Sequence, residues 1–321
     1  NLGKPINTDA SEFAPLISAD ESLLAYTYSS YKDNTKEQVF VGKKKNYVWE
    51  SVAPIDFKAS QNVGTVGLSP DGQKMFIYIG EANNVGSIYS SKQSANGWGV
   101  PEKLGSEVNS GYMESTASIS ADESVMYFAS DRPGGYGGKD IYKVERQADG
   151  TWGKPQNLGN GINTPYDEDA PFIHPDKKTL FFTSNGHNSI GGNDIFKTTF
   201  QNNQWAKPEN MGYPINTVFN DGYLVVTANG KKAYFSSDRP GGAGKQDIYA
   251  IILPDDKKTA LTMVKGKILA GTPPKPVEAK IRVVDKETQQ FLKYVYNPNP
   301  QTGDYLMIFP PGKNYDMIIT A

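Results

Sequence analysis

Four acids recur at one fixed place in this chain. Counting five residues on from Asn7, Asn109, Asn163 and Asn216 reaches Glu12, Glu114, Glu168 and Asp221. Carboxylates that converge offer oxygen ligands to a hard cation, or a counter-charge to a basic side chain of a partner. Val63 stands at the aligned place in another segment, and an acid so placed also serves to cap its own loop. Convergence predicts a binding mouth formed by all four, with Ca²⁺ as the metal that Glu114, Glu168 and Asp221 would hold. Capping predicts no metal, and nothing in the chain calls for another cofactor.

Nucleophilic hydrolysis lacks its inventory. There are two histidines and no cysteine, and no Gly-x-Ser-x-Gly elbow. His174 takes a turn-flanking position held elsewhere by Ala19, Ser69 and Ser120, while His187 falls in a glycine-rich loop and reads as solvated. Without cysteine there are no disulfides and no thiolate zinc sites. The expectation is that the chain is not an enzyme. The loops Asp131-Arg132-Pro133-Gly134-Gly135 and Asp238-Arg239-Pro240-Gly241-Gly242 resemble phosphate cradles, but they open onto strands at Asp140-Ile141 and Asp247-Ile248 rather than onto helices. Their glycines read as positive-φ positions. Asp131 and Asp140, like Asp238 and Asp247, read as acceptors for loop amides, with Arg132 and Arg239 part of the same framework.

What must position these residues is a repeat. Asp20, Asp71, Asp122, Asp176 and Asn229 each sit in a tight turn before an apolar strand, 51, 51, 54 and 53 positions apart. Repetition at this period with only strand signals inside predicts a β-propeller, each unit covering its neighbour's open face. In the third unit the strands are expected at 115–119, 125–130, 141–146 and 151–157, the last led by a tryptophan, as at Trp98, Trp152 and Trp205. The chain opens on the tail of such a phrase, Asn1-Leu2-Gly3, so residues 1–6, or sequence upstream of them, are expected to complete the fifth blade. Five blades are expected over 1–256, with six left open if a strand set lies upstream. Residues 257–321 read as a small transthyretin-like β-sandwich lacking its final strand. The net charge of −2 and pI near 5.8 argue against a nucleic-acid partner, and no apolar stretch is long enough to span a membrane.

The phrase Ser130-Asp131-Arg132-Pro133-Gly134-Gly135 leading to Gly137-Gly138-Lys139-Asp140-Ile141-Tyr142, with Ile162-Asn163-Thr164 and Trp152-Gly153-Lys154-Pro155 around it, resembles the WD40-like (TolB-type) propeller repeats of Bacteroidetes cell-envelope proteins. The tail, from Val264-Lys265-Gly266-Lys267-Ile268 through Thr302-Gly303-Asp304-Tyr305 to Gly312-Lys313-Asn314-Tyr315, resembles the carboxypeptidase regulatory-like domain that follows such propellers in OmpA-family proteins. The resemblance implies a non-catalytic protein–protein interaction scaffold in the periplasm, peripheral to the outer membrane. It implies partners among envelope or secretion-machinery proteins, in type IX secretion or gliding. Peptidoglycan would be reached only through a flanking domain outside this sequence. The first two units depart from the phrase, at Ser29-Ser30-Tyr31-Lys32-Asp33 and Ile79-Gly80-Glu81-Ala82-Asn83. The other reading kept open is an envelope sensor that binds a glycan or peptide at the channel mouth.

Overall fold

The computed structural model describes residues 1–30, 36–46, 48–81, 85–94, 97–254, 261–309 and 312–321. The centres of the two departing loops and most of the expected linker, Asp255 to Lys258, lie outside the described residues. Within them the protein is all-β, and no helix is long and apolar enough to cross a membrane.

Among the described residues up to 254, five antiparallel sheets follow one another, each built outward from an inner strand: Ser11–Ile17, Val63–Leu68, Glu114–Ile119, Glu168–Ile173 and Asp221–Val226. Neighbouring inner strands touch, and the last touches the first, so the five close a cycle. The second strands, such as Val125–Ser130 and Thr179–Ser184, are aromatic and branched and almost wholly buried, as strands covered on both faces must be. Before each of them Asp20, Asp71, Asp122, Asp176 or Asn229 accepts the amide two residues on, at 2.8–3.2 Å, the expected tight turn.

Two devices join one sheet to the next. Every inner strand carries a register shift, and the N–H freed there turns to a hydroxyl. Ala14 donates to Ser236, Thr65 to Thr27 and Tyr223 to Thr183, each on the preceding sheet, at 2.8–3.2 Å. The second device is a carboxamide. Asn109 accepts from the Ile88 N–H and donates to the Ile88 carbonyl, and Asn163 does the same to Ile141, Asn216 to Ile195 and Asn7 to Ile248. Asn7 closes the cycle, helped by the Leu2 N–H on the Ile248 carbonyl at 3.0 Å. Residues 1–7 therefore lie along the outer edge of the fifth sheet.

From Thr262 a separate group of short sheets encloses its own small core of Ile281, Val283, Tyr296, Met307 and Phe309. It meets the turn end of the first three large sheets, where Lys265 donates to Asp20 at 2.5 Å and Leu306 and Ile308 face Pro70 and Ala121.

Replacing Asn7 with Ala leaves the buried N–H of Ile248 unpaired and its carbonyl on Leu2 alone, which costs about 1–3 kcal/mol. Urea unfolding should show that loss, and the new opening should appear as faster amide exchange along the first and fifth inner strands. Asp20 supplies a second expectation. Burial works against its charge, but bonds from Lys265, Ser22 and Ser18 prevail and hold its pKa at about 2, below the ordinary 3.8. A depressed folded value stabilises above the ordinary pKa and is lost as pH falls through the folded one. The tail of the native chain should stay protected from exchange down to about pH 2–3, whereas Lys265→Met, which removes the bond to Asp20 outright, should loosen it at every pH and abolish that acid step.

Candidate functional site

The four recurrent acids are fully buried at the end of the inner strands opposite the tail. Each turns back on the loop that precedes it. Glu12 accepts the Thr8 amide and hydroxyl, Glu114 those of Ser110, Glu168 those of Thr164 and Asp221 those of Thr217, all within 3.1 Å. Burial pushes the Glu12 carboxyl up, opposed by its Thr8 bonds. Among the described residues no three acids or histidines group closely enough to hold a metal ion. Glu114 spends its oxygens on Ser110, Ser130 and Arg132, Glu168 on Thr164 and Ser184, and Asp221 on Thr217 and Arg239, all donors of their own repeats.

The glycine-loop residues fall in one repeated arrangement. Asp131 and Asp238 accept the amides of Met113 and Asn220, at 2.7 and 2.8 Å, and so hold the loop before the inner strand rather than their own loop. Asp140 holds its own loop through the Tyr136 and Gly137 amides, and Asp247 does so through Ala243 and Gly244. Arg132 forks onto the Val108 carbonyl and Glu114 while lying over Phe128 and Tyr142, and Arg239 repeats this with Ile215, Asp221, Phe235 and Tyr249. The planar guanidinium suits both the fork and the stack. In the fourth sheet His187 occupies this niche, with Nε2 2.9 Å from the Ile162 carbonyl and its ring against Phe182 and Phe196. It is not the solvated loop histidine expected, and residue type alone gave no sign of the exchange.

The later glycines explain themselves by contact. A Cβ on Gly137 would overlap the Tyr166 carbonyl, one on Gly191 that of Phe219, and one on Gly244 that of Ala10. Each glycine loop thus clasps the next repeat, and Gly244 clasps the first. Side chains of these loops stand exposed: Tyr112, Tyr166 and Phe219, each two residues before a buried acid, together with Tyr136, Ile190 and Val218. Tyr166 is 60 % and Tyr136 51 % exposed. Sequence reasoning treated these loops as structural and missed their outward aromatics, although the equal spacing from the acids was there to be read.

Inside the cycle, the position after the acid changes from unit to unit: Phe13, Gly64, Ser115, Asp169, Gly222. Asp169 is held by Lys139 at 2.7 Å and by the Ser115 and Thr116 hydroxyls. Burial resists its charge, but Lys139 and these bonds keep its pKa low. It stands where the third sheet offers Ala129 instead of the hydroxyl supplied by Thr27, Thr183 or Ser236, and the Ala170 N–H goes to Thr116 and Asp169. The axial cavity below holds about 70 Å³ and is lined by residues such as Leu16, Leu68, Phe172 and Leu224.

No known family model matches the chain, and no characterised protein matches it by sequence. Solved structures do match in shape. A thermostable family-43 glycoside hydrolase aligns with a TM-score of 0.50 and 14% identity over 80% of this chain and 95% of that one. An alpha-L-arabinofuranosidase from Lactobacillus brevis gives 0.49 at 13% identity, over 78% and 93%. A putative TolB from Agrobacterium tumefaciens gives 0.46 at 15%, over 78% of each chain. The protein has an all-β, propeller-like fold. The first of these likenesses overturns the expectation that the chain is not an enzyme, because a glycoside hydrolase is built on the same arrangement. The missing Ser-His-Asp set excluded one mechanism only, and glycoside hydrolysis asks for two carboxyl groups.

Gly137→Ala should force the clasp apart and lower stability by about 1–3 kcal/mol, whereas Gly161→Ala, with open space around its Cβ, should stay within about 0.5 kcal/mol of the parent. Thermal unfolding of the two variants side by side checks this.

Proposed function

We propose that this chain is a protein-binding scaffold of the cell envelope, a five-bladed propeller over 1–256 carrying a small transthyretin-like sandwich over 257–321. Its partner docks on the loop face. The observation that carries this reading is the recurrence of exposed apolar and aromatic side chains, Tyr112, Tyr136, Tyr166, Ile190, Val218 and Phe219, in the loops of the third to fifth sheets. Aromatic side chains on a braced backbone are the anchors that supply most interface energy, because they bury much area at little entropic cost. The loops beneath them are fixed by the acids, arginines and glycines described above, so little ordering is left to be done on binding.

The resemblance of the repeat phrase supports a periplasmic place beside the outer membrane and partners in type IX secretion or gliding. The sensor reading, with a glycan or peptide at the channel mouth, has less behind it. A cavity of about 70 Å³ admits a few waters, against several hundred Å³ for a typical ligand pocket.

A photo-crosslinking side chain at Tyr166 should label one defined envelope protein in living cells, and one at Val100, outside these loops, should not. The triple change Tyr112→Ser, Tyr166→Ser, Phe219→Ser should cut affinity for that protein at least about 100-fold, with unfolding unchanged. Equal labelling from both positions would refute the loop-face assignment.

A further inference from the structure

Asp71 differs from its counterparts at the other turns. Asp20 is paired with Lys265, Asp122 with Lys177, and Asp176 has Thr179 on one oxygen and the Lys178 amide on the other. Asp71 takes the Ser69 hydroxyl at 2.5 Å and the Gln73 amide at 3.0 Å on a single oxygen, and among the described residues no donor reaches the second. Burial, the largest influence on it, raises its pKa where the other three are lowered. A carboxylate so placed has room for a hydrogen-bond donor that is not in the chain.

That room is a cleft of about 750 Å³ between the first two large sheets and the tail. Beside Asp71 it is walled by the carboxamides of Gln73, Gln93, Asn299 and Gln301 and by Tyr305. The Tyr305 ring lies over Gly266, where a Cβ would overlap its hydroxyl and nearest ring carbons. The two lysines of the cleft are taken, Lys265 by Asp20 and Lys267 by Asp304 at 3.3 Å, which leaves no unpaired cation there for a phosphate. Leu306 is the one aliphatic side chain on the wall, too little for a lipid or an apolar peptide anchor. Gln73, Gln93 and Gln301 carry planar amides that donate and accept at once, and Asn299, whose oxygen is held by the Gln301 and Thr302 N–H groups, keeps its NH₂ to donate; with one open carboxylate and one aromatic ring beside them, they suit a neutral polyhydroxylated ligand.

We propose that this seam binds an oligosaccharide, with Asp71 and the amides on its hydroxyls and Tyr305 against the C–H face of a sugar ring. The site lies at the opposite end of the inner strands from the protein-binding loops and does not depend on them. Because its walls belong to both the large sheets and the tail, the bound sugar ties the two together.

The test is a titration of the whole chain with maltotriose, chitotriose and arabinotriose at millimolar concentration, followed by backbone NMR shifts. At least one should saturate, with shifts confined to residues around 71–73, 93 and 299–306. Asp71→Asn, which keeps the shape, and Tyr305→Ala should each weaken it about tenfold, or about 1.4 kcal/mol. Tyr166→Ser should leave it unchanged, and the sugar should slow amide exchange in 262–267. Silence from all three sugars, binding that survives both substitutions, or stronger retention of a peptide of equal length overturns the proposal.

Discussion

One carboxamide imitating a strand holds this protein together. Asn7, Asn109, Asn163 and Asn216 each present an acceptor and a donor to the N–H and carbonyl of a single isoleucine on the preceding sheet. Backbone bonds between neighbouring repeats are scattered, such as Ala19 to Pro70, Glu168 to Lys139 and Asp221 to Asn193, and apolar contact alone leaves sheets free to slide. A side chain that reads a backbone pair fixes height and angle together. The acid five residues on then has a fixed loop to brace, and the glycine loop of the preceding sheet has a fixed carbonyl to meet.

Much of the fold was legible because the physics repeats. The turn acids, the apolar second strands and the period came straight from residue type. The site was harder. Glu12, Glu114, Glu168 and Asp221 have the same spacing whether they meet at an axis or cap four separate loops, and only the position of the Thr or Ser four residues earlier decides it. The asparagines used to align the repeats turned out to be the clamp, which a one-dimensional spacing does not show because their partner lies about 21 residues back.

The departures from repetition are where the molecule becomes individual. His187 replaces an arginine, Ala129 lacks a hydroxyl and brings Asp169 and Lys139 inward, and Asp71 has no cation among the described residues. Each is one residue wide, and the surrounding bonds absorb it without moving a strand. A frame that tolerates such changes can carry different surfaces on its two ends: aromatic on the loop side, amide-rich on the turn side.

The lock between Asn7 and Ile248 spans 241 positions. During synthesis the first seven residues emerge long before the strand they belong to, and the opening sheets must wait with an uncovered flank while the others are made. Contacts this remote in sequence are slow to form and leave strand edges open to strangers meanwhile. The cycle therefore reaches its final rigidity in one late event, when the fifth sheet meets residues 1–7.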